Sequence, residues 1–235
     1  MTVLLRWVIL ITAGATLWSC SSAPRKPDPV VEKPPTPSKE PPADRAPDTR
    51  PVIVAFGDSL TAGLRVDLVN NYPSVLQRKL DAAGYRYRVV NAGVSGDTSA
   101  QGLNRLSAVR SYHPAIVILE LGANDGLRGI PAKTTAGNLD SIITQLKHDG
   151  SQVVLLGMQM PPNYGAEYTQ AFGATFPELA KKHGIPLVPF MLAGVAGDDR
   201  FNQEDGIHPT AQGYEIVAEN VWQVLKPLLD KPHSR

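Results

Sequence analysis

Cysteine is almost missing from this sequence: Cys20 stands alone among 235 residues. A single cysteine cannot close an internal disulfide, so no cross-linked framework is available to the fold. An excess of charge of one sign is missing too. The 23 Lys and Arg against 22 Asp and Glu leave a formal net charge of +1. No basic cluster breaks that balance, so there is no field to steer nucleic acid and no nucleic-acid partner is expected. Of five histidines none forms a ligand cluster, and Cys20 lies far from the candidate domain, so neither a metal nor another cofactor is expected. Internal repeats are missing. A membrane-length apolar run is missing as well, because the stretch from Trp7 to Leu17 falls short of the roughly 20 residues a spanning helix needs. What is present is a chain with 43% hydrophobic residues, enough for one domain with a core and too short for two large ones.

The chain divides into three. Residues 1–19 carry a short basic start at Arg6, the apolar run, and then Trp18 and Ser19, the shape of a secretory signal, with a single membrane anchor as the rival reading. Leu17-Trp18-Ser19-Cys20 resembles the lipobox of bacterial lipoproteins, which implies lipidation at Cys20 and an anchor in the cell envelope, since several acyl chains hold stably where one does not. Trp18 is larger than that motif usually has. Ser21 and Ser22 follow the cysteine, which by the same resemblance favours the outer membrane, with the domain in the periplasm. Residues 20–50 change character: ten prolines fall between Pro24 and Pro51, among charged residues. Such a segment cannot bury enough surface to offset its chain entropy and is expected to be a disordered tether reaching on the order of 90 Å at about 3.1 Å per residue. A proline-motif docking site is the rival reading.

From residue 51 to 235, short apolar runs alternate with amphipathic stretches. Residues 52–56, 88–91, 115–121, 152–158 and 186–190 read as strands, most of them continuous apolar runs of the kind parallel sheets bury on both faces. Residues 72–83, 99–111, 133–148, 168–183 and 210–229 read as helices, and Gly84, Gly150 and Gly184 fall at C-cap positions. The alternation predicts right-handed βαβ units and a doubly wound, mostly parallel five-stranded sheet. Ligands bind such sheets at the carboxyl ends of the strands. Those ends carry Gly57-Asp58-Ser59-Leu60, Asn91-Ala92-Gly93-Val94-Ser95-Gly96-Asp97 and Gly122-Ala123-Asn124-Asp125.

Acyl transfer needs a nucleophile, a base, a group that orients the base, and donors for the oxyanion. Ser59 follows a strand and a Gly-Asp turn, although a serine there is also an ordinary turn or N-cap residue. Asp205 and His208 are three apart, a spacing that lets a carboxylate reach the imidazole and fix its tautomer. A capping aspartate beside an exposed histidine is the plainer reading, with Pro209 opening a helix. The pair follows the fifth predicted strand, on the same edge as Ser59, which favours the catalytic reading. Gly96 offers an unobstructed amide, Asn124 a carboxamide, and Ser59 its own N–H, a three-donor oxyanion hole. Tight-turn and Asx-turn roles are the alternatives for the glycine and the asparagine.

Taken in order, Gly57-Asp58-Ser59-Leu60, Gly96, Gly122-Ala123-Asn124-Asp125 and Asp205-Gly206-Ile207-His208-Pro209 resemble the four blocks of the SGNH (GDSL) hydrolase family. The resemblance runs from about Val52 to the last helix. It implies a flavodoxin-like three-layer α/β/α sandwich, a Ser59–His208–Asp205 triad, and oxyanion donors from Ser59, Gly96 and Asn124. The α/β-hydrolase alternative needs Gly-x-Ser-x-Gly, and Thr61 stands at the second glycine. Residues 89–99, 120–129 and 160–165 are similar to the bacterial arylesterase, thioesterase I and lysophospholipase subgroup, which implies an acyl ester or thioester substrate. In that subgroup the last stretch flanks the acyl pocket, so Met158, Met160, Pro162 and Tyr164 are candidate pocket residues, with ordinary core packing as the alternative. The rate is expected to rise with pH as His208 sheds its proton. Two rivals remain: a polysaccharide O-acetyl esterase using the same triad, and an envelope-binding lipoprotein that kept the fold without turnover.

Overall fold

The computed structural model describes residues 48–230. The signal segment, Cys20 and the proline-rich stretch apart from residues 48–50 lie outside the described residues. Five strands, β1 (Val52–Gly57), β2 (Arg88–Gly93), β3 (Ile116–Glu120), β4 (Gln152–Leu156) and β5 (Leu187–Val188), form one sheet in the order β2-β1-β3-β4-β5. Every neighbouring pair is parallel, so the expected mostly parallel sheet is wholly so. This order is the flavodoxin-like one, with its switch point where β1 is flanked by β2 and β3. β1 and β3 are buried along their whole length, the reason both read as unbroken apolar runs rather than alternating ones.

Eight α-helices cover the sheet among the described residues: α1 (Ser59–Ala62), α2 (Tyr72–Ala82), α3 (Ser99–Asn104), α4 (Leu106–Arg110), α5 (Ala123–Leu127), α6 (Ala132–His148), α7 (Ala166–His183) and α8 (Ala211–Leu229). α3, α6 and α7 pack side by side as one layer, and α2 and α8 form the other. The apolar stripes of α6 (Leu139, Ile142, Ile143, Leu146) and α8 (Tyr214, Val217, Ala218, Val221, Leu225) are buried, at the i, i+3, i+4 spacing of an amphipathic helix. Local chemistry sets the helix ends. Asn71 caps α2 by accepting the Ser74 N–H, Thr98 and Gln101 form a capping box on α3, and Thr210 caps α8. Gly184 ends α7 in the left-handed conformation, where a side chain would be strained. Among the described residues no helix is long and apolar enough to cross a membrane.

Three expectations need correction. The single helix predicted over 99–111 is broken at Arg105 (φ −101°, ψ 11°), where the guanidinium turns inward to the carbonyls of Ala92 (2.9 Å) and Gly57 (2.8 Å) and lies over the Phe56 ring. The fourth strand stops at Leu156 instead of 158, and at 157 the backbone lies so close to Val188 and Pro189 that only glycine fits. The fifth shrinks to two residues, and Pro189 to Thr210 is loop and turn that brings its polar residues to the sheet edge.

Candidate active site

β1 delivers the chain to its carboxyl edge at Gly57. A Cβ there would collide with the Thr61 hydroxyl and the carboxylate and carbonyl of Glu120, so the position is restricted to glycine. Asp58 then N-caps α1, accepting the Leu60 N–H at 3.0 Å, and Ser59 becomes the first helical residue. Its hydroxyl lies 2.8 Å from His208 Nε2, and the other ring nitrogen lies 2.9 Å from Asp205 Oδ2. The carboxylate selects the tautomer with hydrogen on Nδ1, leaving Nε2 to accept the serine proton. The three residues predicted as a triad are thus brought within hydrogen-bond distance, with Ser59 on the first turn after β1 and the Asp205–His208 pair on the loop before α8.

That loop is held from several sides. Asp205 Oδ1 accepts the N–H groups of Ile207 (3.1 Å) and His208 (3.0 Å). Burial pushes the Asp205 carboxyl up, but these bonds and the one to the imidazole more than reverse it, and it lies at about 2. Gln203 donates its carboxamide to the carbonyls of Leu64 (2.8 Å) and Pro209 (2.9 Å), tying the loop to the segment after α1. From that segment Arg65, one of two non-glycine residues with positive φ among the described residues (60°), places its guanidinium 3.1 Å from Asp205 Oδ2.

The three proposed oxyanion donors converge on the same cavity as Ser59 and His208. No described acceptor takes the amide hydrogens of Ser59 and Gly96. Gly96 has φ +86°, a value that favours glycine, and its carbonyl is held by Arg128 at 2.9 Å. Asn124 is not idle at rest. Its carboxamide nitrogen donates to Asp58 Oδ2 (2.9 Å) and the Asp97 carbonyl (3.0 Å), so both hydrogens are engaged.

The cavity measures about 670 Å³, and most of its wall is apolar: Leu60, Met158, Met160, Phe190, Leu192 and Ile207 contribute. Met158 and Met160 are where the sequence placed them. Pro162 and Tyr164 are not on the wall. The chain leaves the cavity at Pro161 and enters a 3₁₀ turn over Pro162–Tyr164, and the Tyr164 hydroxyl bonds the Leu127 carbonyl at 3.2 Å instead.

Sequence reasoning missed the polar scaffold beneath the site. Glu120 is fully buried at the end of β3 and accepts the Asp58 N–H (3.1 Å) and the Thr61 hydroxyl (2.8 Å) through Oε2. Burial and the Asp58 charge push its carboxyl well up, and burial raises Asp58 to about 6. Asp97 pairs with Arg105. Asp125 takes the N–H and hydroxyl of Ser99 and the Thr135 hydroxyl, pinning α3 and α6 to α5, which carries Asn124. An Asp or Glu at a strand end was the available signal, but nothing local names its partner. Among the described residues no group of three or more His, Cys, Asp and Glu side chains is placed to hold a metal.

Known proteins resemble this chain over most of the described residues. Residues 55–216 match the GDSL-like Lipase/Acylhydrolase family. Esterase TesA of Pseudomonas aeruginosa is 46% identical over 178 residues, which are 75% of this chain and 89% of that protein. Thioesterase 1/protease 1/lysophospholipase L1 of Escherichia coli K12 is 38% identical over 179 residues, 76% of this chain and 85% of that one. A crystal structure of TesA superimposes with a TM-score of 0.73 at 45% identity, covering 75% of this chain and 99% of that structure.

Proposed function

The chain belongs to the GDSL-like lipase/acylhydrolase family and is a serine hydrolase acting on ester bonds, and on that premise we propose that Ser59, His208 and Asp205 are its triad. The observation that carries this reading is the continuous relay from Ser59 Oγ to His208 Nε2 and from His208 Nδ1 to Asp205 Oδ2, at 2.8 and 2.9 Å. His208 takes the Ser59 proton as the hydroxyl oxygen attacks the ester or thioester carbonyl. The carbonyl electrons move onto oxygen, which faces the amides of Ser59 and Gly96 and the carboxamide of Asn124. Asp205 steadies the imidazolium. His208 returns the proton to the departing alcohol or thiol, and water repeats the cycle on the acyl-enzyme.

The acyl chain is proposed to lie along Met158, Met160 and Leu192. Apolar burial at about 0.8 kcal/mol per methylene favours chains longer than acetyl in such a cavity, which argues against the polysaccharide deacetylase reading. The lipobox at Leu17–Cys20 is proposed to anchor the domain in the cell envelope, and Cys20→Ser is expected to move it from the membrane to the soluble fraction. The test of the triad is initial-rate hydrolysis of p-nitrophenyl esters from acetyl to palmitoyl by the wild type and Ser59→Ala. Loss of about 10⁴-fold or more in the variant is expected. A variant as active as the wild type, with the wild-type circular dichroism, overturns the assignment.

A further inference from the structure

Beneath the nucleophile lie two carboxyl groups that the catalytic cycle does not use. Asp58 and Glu120 face each other across β1 and β3, whose register sets Gly57 opposite Glu120, and the two side chains are within hydrogen-bond reach. Both are fully buried. Glu120 Oε2 already accepts two hydrogens, from the Asp58 amide and the Thr61 hydroxyl. Glu120 Oε1 is buried with no hydrogen-bond partner among the described residues. An ionised oxygen left that way is costly, whereas a protonated Glu120 carboxyl has an acceptor in the neighbouring Asp58 side chain. Asp58 in turn holds Asn124 through Oδ2 and caps α1 through Oδ1. A chain of bonds therefore runs from Glu120 through Asp58 to the carboxamide at the oxyanion position.

We propose that Glu120 is a positioning residue for ester hydrolysis: as a neutral carboxylic acid it donates to the Asp58 carboxylate, and so fixes the backbone that presents Ser59 and the orientation of Asn124. The inference rests on the proposed roles of Ser59 and Asn124. The proton also halves the negative charge behind the oxyanion, since two adjacent carboxylates would oppose the charge that develops there. The groups facing Glu120 do not offer a substitute for it. They are Asp58 from the β1–α1 turn, Tyr72 from α2 and Tyr214 from α8, while His208 faces Asp58 from the last loop and Arg105 ends on the Gly57 carbonyl. Burial and the Asp58 charge push the Glu120 carboxyl well above its ordinary value, in the direction the geometry requires.

The test compares Glu120→Ala and Glu120→Gln with the wild type on p-nitrophenyl butyrate across pH. A glutamine keeps an N–H donor toward Asp58 and a carbonyl toward Thr61 and never ionises. Glu120→Ala is expected to lower kcat by about tenfold to a hundredfold with KM nearly unchanged, below the 10²–10³ lost with a whole oxyanion donor. Glu120→Gln is expected to restore kcat to within about threefold and to abolish the fall in kcat at alkaline pH that ionisation of the acid causes in the wild type. Infrared spectra at pH 8 supply a second measurement if Glu120→Ala does not fold: a protonated-carboxyl C=O band in the wild type, missing from Glu120→Gln. A folded Glu120→Ala with wild-type kcat, a Glu120→Gln no better than alanine, or a carboxyl band that survives the glutamine each overturns the proposal. Ser59→Ala in the same assay separates the two readings. Activity that survives it overturns the triad, whereas activity lost there and unmoved in the Glu120 variants overturns the role of Glu120 alone.

Discussion

Replacing Gly126 with alanine is expected to shorten the preferred acyl chain without unfolding the protein. Gly126 is buried in α5, and a Cβ on it would stand 2.6 Å from Met160 Cε and 3.1 Å from Met160 Cγ, with the sulfur nearer still. What it strikes is the end of an unbranched, adaptable side chain, so Met160 swings and the helix stays in place. Met160 is 7% exposed and lines the cavity, so the space it moves into is cavity space, where the acyl chain is proposed to lie. The added methyl and the displaced thioether together remove room for two or three methylenes. At about 0.8 kcal/mol each this is roughly 2 kcal/mol, or about 30-fold in kcat/KM for chains that reach Met160. The helix itself gains about 0.5–1 kcal/mol from losing a glycine, set against about 0.5–1.5 kcal/mol for an off-rotamer methionine, so the urea midpoint is expected to stay close to that of the wild type. The assay is kcat/KM for p-nitrophenyl acetate through palmitate. Acetate should hold within about twofold while the longer esters fall. A uniform loss at every length would mean that Met160 does not bound the acyl chain, and no loss at any length would mean that it swings away from the cavity.

Three further outcomes follow from the same geometry. Asn124→Ala is expected to lower kcat by about 10²–10³ with little change in KM, and steady-state kinetics showing a loss below tenfold would remove Asn124 from the oxyanion site. Tyr214 is fully buried with its hydroxyl unpartnered among the described residues, so Tyr214→Phe should stabilise the fold by about 1 kcal/mol in urea unfolding; destabilisation would mean that the hydroxyl has a bound partner. The Asp205 carboxyl is held at about 2 against an ordinary 3.8. A lowered carboxyl contributes stability that is present above the unfolded value and lost as pH falls through the folded one, so the stability gap between the wild type and Asp205→Asn should close between about pH 4 and pH 2. The side chain is 26% exposed, which keeps the effect small, and a gap that widens on acidification would contradict the bonding pattern.

The parts of this molecule that could be read from sequence are those whose cause is local. Continuous apolar runs marked β1 and β3 because both faces of each strand are covered, and the three-residue spacing of Asp205 and His208 is itself the geometry that joins them. The acyl cavity was half legible. Met158 and Met160 follow a strand whose end is visible, but Phe190, Leu192 and Ile207 come from a long loop with no period to read, and the turn that carries Pro162 and Tyr164 away is set by where the chain meets Leu127. Arg105 was read as mid-helix because its partners, the carbonyls of Gly57 and Ala92, belong to two different strands.

Glu120 and Asp58 show the limit most clearly. Their contact is a consequence of strand order and register, Gly57 opposite Glu120 in a sheet that places β3 beside β1, and no window of sequence contains both. The same limit applies to their charge. Asp58 and Asp205 are the same residue type at the same site, yet burial lifts Asp58 to about 6 while hydrogen bonds from His208 and the adjacent backbone hold Asp205 at about 2. Stability tied to Asp58 therefore declines as pH rises from its unfolded value through about 6, and that tied to Asp205 declines as pH falls toward 2. One aspartate lies beside the His208 ring, and the other lies against Glu120 beneath Ser59. Asp205 is displaced toward the charged form and Asp58 away from it, so the hydrogen bonds from Leu60 and Asn124 are what favour the Asp58 carboxylate against its burial, and only the folded sheet distinguishes the two.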